Sequence, residues 1–131
     1  MGNVFTLDSV REEVEREFAP VTVDMAEGSV VLRNVLRVPK LRRDKVFKLI
    51  DDLEAATKDD KGKEIPAEEL GMEHMEKTAG IAVELIRLVA DSDKLGEILC
   101  AILEDDVALT LAVFGKWMEV TQPGEAERSQ S

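Results

Sequence analysis

Residues 93–121, DKLGEILCAILEDDVALTLAVFGKWMEVT, hold two successive apolar patterns of helical period, divided by the acidic pair Asp105 and Asp106. In the first, Leu95, Ile98, Leu99, Ile102 and Leu103 share one wide face; in the second, Val107, Leu111, Phe114 and Met118 form a stripe with Trp117 beside it. Asp91, Ser92 and Asp93 offer side-chain oxygens to the backbone N–H groups that a helix leaves unpaired in its first turn, and Asp105 and Asp106 repeat the device. The second pattern ends near Thr121, before Pro123 and Gly124. This stretch reads as two helices, and it sets the fold class as mainly α.

The same period continues upstream. From Ile65 and Pro66 a long helical segment carries Met75, Ala79, Ala82, Leu85, Ile86 and Val89 on one stripe. Gly71 and Gly80 each cost about 1 kcal/mol against alanine, so its first two turns are expected to fray or break away. Before it, TKDDKGKE (residues 57–64) has no large apolar residue and a central glycine, the pattern of a mobile loop over about 57–65. From Pro39, suited to a first helical turn, to about Ala56, a further helix carries Val46, Leu49, Ile50 and Leu53.

Nearer the start the period drops to two. Val21, Val23 and Met25 alternate with Thr22 and Asp24, and Ala26, Glu27 and Gly28 form a turn in which Gly28 is free to take a positive φ. Ser29 to Asn34 returns as the second strand, giving a hairpin over about 21–34. A lone hairpin is marginal in water, so it must lie against helices or another copy of the chain. A first helix is expected over Leu7 to Ala19, opened by Ser9 and Glu12 in a capping-box relation, striped by Val10, Val14 and Phe18, and stopped by Pro20. The expected architecture is a single domain over residues 1–121, with about five helices and one small N-terminal β-hairpin, and a disordered polar tail over residues 122–131.

Composition bounds the function. At 131 residues and 14.5 kDa the chain fits one domain, and its 17 basic against 28 acidic side chains leave a net charge of -11. That charge disfavours free nucleic acid and anionic membranes as partners. No apolar run is long enough to span a bilayer, and the N-terminus lacks the pattern of a secretory signal. A lone cysteine excludes an internal disulfide and, with a lone histidine, leaves no Cys/His cluster for a closed zinc site. His74 has Lys77 and Thr78 where a helical metal site needs a second ligand, and Cys100, among Ile98, Leu99 and Ile102, has no cationic neighbour in sequence to activate it. Nucleophile elbows, phosphate-cradling glycine loops and dinucleotide fingerprints are missing, so no catalytic, metal or cofactor site is expected.

Charge distribution says more. Between residues 33 and 48 stand Arg33, Arg37, Lys40, Arg42, Arg43, Lys45 and Lys48 against a single acid, Asp44. Two readings fit this block. It neighbours an acidic segment of the same chain, such as the helix with Glu12, Glu13, Glu15 and Glu17, or it meets such a segment on a second copy, a heterologous contact that closes into rings or runs on as filaments. The C-terminal stripe is also ambivalent. Most such stripes are core. Phe114 and Trp117 are nevertheless two of only five aromatic residues, so Leu99, Leu111, Phe114, Trp117 and Met118 are carried forward as a candidate face for another protein's helix.

The order of segments adds a resemblance. VFTLDSVREE (4–13), VVLRNVLRVPK (30–40), RDKVFKLIDDLE (43–54) and LEDDVALTLAVFGKWMEVTQPGEA (103–126) together resemble the tail assembly chaperones of long-tailed bacteriophages, particularly those infecting mycobacteria and related actinobacteria. The similarity covers nearly the whole chain, is most specific in LRNVLRVPK and W-M-E-x-T-Q-P-G-E-A, and is weakest from Ile65 to Gly80. It implies a non-enzymatic role: keeping the long, largely helical tape measure protein soluble in the host cytoplasm until the tail tube polymerises around it, then absence from the mature virion. It further implies a longer product of the same gene made by ribosomal frameshifting, with Pro123, Gly124 and Glu125 at the expected place of slippage. The family offers no functional residues to carry over. The same acidic helical composition also permits a small structural or connector protein of the virion.

Overall fold

A two-residue turn at Ala26 and Glu27 reverses the chain between β1 (Val21–Met25) and β2 (Gly28–Leu32), pairing Val21 with Leu32, Val23 with Val30 and Met25 with Gly28. Gly28 takes φ +139°, open to glycine and strained for other residues, and a Cβ there would lie 3.5 Å from a Leu95 methyl. The computed structural model describes residues 4–58, 61–66 and 69–121. Around the hairpin stand α1 (Leu7–Glu17), α2 (Lys40–Ala56), α3 (Met72–Val89), α4 (Asp93–Glu104) and α5 (Val107–Thr121), with a 3-10 turn at Val35–Arg37. The fold is mainly α with one small two-stranded antiparallel sheet.

The hairpin escapes the instability of an isolated pair because its inner edge is taken. The Arg33 N–H donates to the Val89 carbonyl at 3.1 Å, the Asp91 N–H to the Val31 carbonyl at 2.9 Å, and the Asp91 carboxylate accepts from the Val31 N–H at 3.1 Å. The chain leaving α3 thus runs beside β2, and Val30 and Leu32 sink into the core. α3 is the hub, packed against α2, α4 and α5, with Ala79, Ala82, Val83, Leu85, Ile86 and Val89 buried.

Several boundaries differ from the sequence expectation. The Thr6 hydroxyl, not Ser9, caps α1: it accepts from the Ser9 N–H at 3.1 Å, which places Ser9 inside the helix. Pro39 is the capping residue of α2 rather than part of its first turn. α3 starts after Gly71 rather than at Ile65, as its glycine suggests, and Met75 is 38% exposed because the stripe leaves the core one turn before Ala79. Ser92 caps α4, accepting from the Leu95 N–H at 3.2 Å, and Asp106 receives the Leu109 N–H at 3.0 Å. The base of the polar loop is closed by Ile65 N–H donating to the Thr57 carbonyl at 2.8 Å. Residues 59 and 60 of that loop, and residues 122–131, to which the disordered tail was assigned, lie outside the described residues.

Two helical glycines differ in their reasons. A Cβ on Gly96 would sit 2.9 Å from the Ala90 Cβ, whereas one on Gly115 would meet nothing within 4 Å. Gly96→Ala is expected to lower stability by about 1–2 kcal/mol despite its better helix propensity, and Gly115→Ala to raise it by up to about 1 kcal/mol. Urea midpoints at constant m-value check both signs.

Candidate protein-binding surfaces

The inward face of α5 consists of Thr110, Phe114, Trp117 and Thr121. Large residues alone marked a stripe through Val107, Leu111, Phe114 and Met118, but the two threonines go inside because their hydroxyls find partners. Thr110 Oγ1 lies 2.6 Å from the Leu103 carbonyl, and Thr121 Oγ1 donates to the Trp117 carbonyl at 2.6 Å. The helix is rotated accordingly. Trp117 is fully buried, its indole N–H donating to the Arg33 carbonyl at 2.9 Å, and Phe114 stacks on it with ring centroids 5.9 Å apart. Leu99 is buried in α4.

Of the candidate partner face, Leu99, Phe114 and Trp117 are therefore core, while Leu111 and Met118 remain half-exposed on one flank of α5. The side turned away from the core is nonetheless apolar over its first half. Ala108, Ala112 and Gly115 are exposed along it, and Leu109 and Val120, 40% and 55% exposed, border the other flank. Lys116 and Glu119, four and seven residues after Ala112, are charged and stand at the C-terminal end of that side. Among the described residues this helix is covered on one side, although its apolar residues extend around most of it.

The basic block divides in two. Arg33 turns inward, its Nε donating to the Val89 carbonyl and Nη2 to the Ala90 carbonyl, both at 3.0 Å. Burial lowers the pKa of its guanidinium, as does neighbouring Arg42, while Asp91 and Asp93 act in the opposite sense. Arg42 pairs with Asp93 at 2.9 Å, and Arg43 is half-buried. Arg37, Lys40, Lys45 and Lys48 stay exposed, with Leu41 at 80% exposure among them. The acidic helix α1 buries no residue, and Val4, Phe5 and Leu7 at its start are exposed. Glu15 does line a cleft of about 420 Å³ with Arg33, Arg37 and Asp91, so one end of α1 neighbours the block within the chain.

His74 and Cys100 have structural surroundings. His74 Nε2 lies 3.3 Å from Thr78 Oγ1. The Cys100 thiol is buried 3.6 Å from the Val83 carbonyl, and burial pushes its pKa up to about 11, with Arg87 pulling the other way and Glu97, Glu104 and Glu84 adding to the rise. A protonated thiol in the core is a poor nucleophile. Arg87 is held charged, first by its hydrogen bond to Glu84, and also reaches Glu97 at 2.6 Å and Glu104 at 3.4 Å. Among the described residues no group of three His, Cys, Asp or Glu side chains is placed to hold a metal ion, and no helix is long and apolar enough to cross a membrane.

Residues 1–126 match a family model described as mycobacteriophage tail assembly protein. The chain belongs to that family. Along its full length it is 31% identical to the whole of tail assembly protein Gp24 of Mycobacterium phage L5, and 33% identical to the whole of Gp24 of Mycobacterium phage D29. It is also 30% identical to tail assembly protein Gp25 of phage L5, where 95% of this chain covers 46% of the longer protein. No solved structure matches. The role of this tail assembly protein lies in building the phage tail, and the sequence resemblance to that class holds.

Two outcomes follow from the buried groups. Trp117→Ala is expected to cost about 3–5 kcal/mol, and Trp117→Phe, which orphans the Arg33 carbonyl, about 1–3 kcal/mol, read by urea unfolding. Because the folded thiol titrates near 11 rather than at its ordinary 9.0, the Cys100 contribution to stability is whole below pH 9 and is lost as pH rises through about 11. Unfolding midpoints across that window should fall more steeply for the native protein than for Cys100→Ala.

Proposed function

We propose that this chain is a non-enzymatic assembly chaperone, one that binds the phage's tape measure protein and keeps it soluble in the host cytoplasm while the tail tube forms, and that it leaves before the virion is complete. The observation carrying this reading is the exposed side of α5, small and apolar over its first half and bordered by Leu109, Leu111, Met118 and Val120, in a chain of the tail assembly family. A long helical client exposes apolar stripes that aggregate unless covered, and a helix face of small residues admits another helix at close range. Ala108, Ala112 and Gly115 run along that face, Leu109 and Val120 border it on one side and Leu111 and Met118 on the other, and Lys116 and Glu119 stand at its C-terminal end. Residues able to flex, such as methionine and leucine, accept varied client sequences. The acidic excess keeps the loaded complex soluble.

A longer frameshift product of the same gene is a second proposed partner. Within phage L5, Gp24 matches this chain over its full length, and Gp25 matches 95% of it while being about twice as long. That relation is expected where a short and a long product share one segment.

The test is co-expression with the tape measure protein of the same phage. The wild-type chain should raise the soluble client several-fold, and Ala112→Asp with Gly115→Asp, both at exposed positions, should remove that gain while circular dichroism stays native. Unchanged client solubility with the double variant rejects α5 as the binding face. Mass spectrometry of purified virions should find this chain missing; its presence at stoichiometric level identifies a structural or connector protein instead.

A further inference from the structure

We propose that copies of this chain associate head to tail, the exposed basic end of α2 on one copy seating in the acidic groove between α3 and α5 of the next. The groove has a volume of about 390 Å³; Ala79, Val83 and Val107 help form its floor, and Glu76, Glu84 and Glu104 stand around it. Arg87 neutralises part of this charge, but it sits among three glutamates, Glu84, Glu97 and Glu104, so the site stays negative. The opposing surface has the complementary make-up. Leu41, Lys45 and Lys48 share one helical face, Arg37 and Lys40 precede them, and Asp44 is the one acid among them. An apolar floor under a carboxylate rim matches an exposed leucine ringed by cations in both chemistry and sign.

Gly80 supplies a separate reason. It lies in mid-helix and lines the groove, and a Cβ built on it would meet nothing within 4 Å. No contact among the described residues calls for a glycine there, although the residue costs helix stability. A bare backbone in a groove wall allows a second surface to approach closely.

The basic end of α2 and Glu76 of one copy lie at opposite ends of the α2–α3 pair. Asp52, Ala55 and Ala56 at the C-terminal end of α2 line a cleft with Lys77 and Ile81 near the start of α3, while Arg42 at the other end pairs with Asp93 beyond the end of α3. The basic end of α2 is therefore remote from Glu76, so a contact that includes Glu76 joins different copies. Charge alone would also permit the glutamates of α1 as the acceptor. The groove is favoured because it joins carboxylates to an apolar floor that receives Leu41. Such a contact is heterologous, so it closes into a ring or continues as a filament.

Sedimentation velocity of the full chain, without client, tests this independently of the chaperone reading. The wild type should show concentration-dependent assembly at low salt that weakens in about 0.5 M NaCl. A donor variant, Leu41→Asp with Lys45→Glu, and an acceptor variant, Glu76→Arg, should each raise the apparent dissociation constant by about tenfold or more while keeping native circular dichroism. Their equimolar mixture should yield a discrete heterodimer, since the intact groove of the donor variant receives the intact α2 of the other and neither can extend further. Gly80→Ala should raise the melting temperature yet weaken assembly, whereas Gly115→Ala, outside the groove, should raise it and leave assembly unchanged. A wild type that stays monomeric at low salt overturns the proposal, as does a mixture that stays monomeric. Assembly insensitive to Glu76→Arg but abolished by Glu12→Lys with Glu15→Lys overturns it in favour of α1.

Discussion

The backbone and side chain of Arg33 tie together three parts of the chain that are distant in sequence. Its N–H and its guanidinium Nε both reach the Val89 carbonyl, Nη2 reaches the Ala90 carbonyl, and its own carbonyl accepts the Trp117 indole N–H. Beside it the Asn34 amide donates to the Thr121 carbonyl at 3.3 Å. Backbone groups at a helix end are costly to bury unpaired, and α3 ends inside the molecule, against β2 and beneath α5. A long cation with several donors in a rigid fork meets that need, holding the hairpin to the hub helix and the hub helix to the last one. Fold and surface both depend on this junction, since the rotation of α5 that buries Trp117 also sets which of its residues face outward.

The elements themselves were legible in the sequence because each rests on local physics. Alternation marked β1, the turn before Gly28 marked the reversal, and the 3.6-residue period marked α2, α4 and α5 to within a residue or two of their ends. Phase was harder to read. On α5 the large residues suggested one stripe and the hydrogen-bonded threonines selected another, because a Thr side chain whose hydroxyl bonds a nearby carbonyl is nearly as easy to bury as valine. The role of Arg33 was not legible at all. Nothing in residues 33–48 distinguishes the arginine whose guanidinium reaches the α3 carbonyls from those that do not, since the distinguishing partners lie more than fifty residues away. Site residues chosen by size and charge alone were thus divided by the structure: Leu111 and Met118 kept some exposure, and Leu99, Phe114 and Trp117 did not.

Charge accounting changes in the same way. The basic block reads in sequence as one surface, but Arg33 is committed to carbonyls and Arg42 to Asp93, so the outward-facing cations are fewer and gathered around Leu41. The acidic side is reorganised as well. Arg87 gathers Glu84, Glu97 and Glu104 from two helices, which concentrates carboxylates at one place instead of leaving them as a solvated coat. An exposed ion pair contributes little to stability, so the effect of this cluster on the molecule lies in its field more than in its bond energies.

The glycines show where stability gives way to other demands. Gly28 and Gly96 are needed by the fold, one for its φ and the other for the approach of Ala90. Among the described residues nothing requires a glycine at Gly80 or Gly115, and each lies exposed in a helix interior where alanine would be more stable. One lies at the groove between α3 and α5, with its glutamate rim, the other on the exposed side of α5, which no described element covers. Stability alone would fill these positions, as it would cover the surfaces around them. The bare backbones of Gly80 and Gly115 thus lie beside these surfaces at a cost in helix stability that no packing among the described residues offsets.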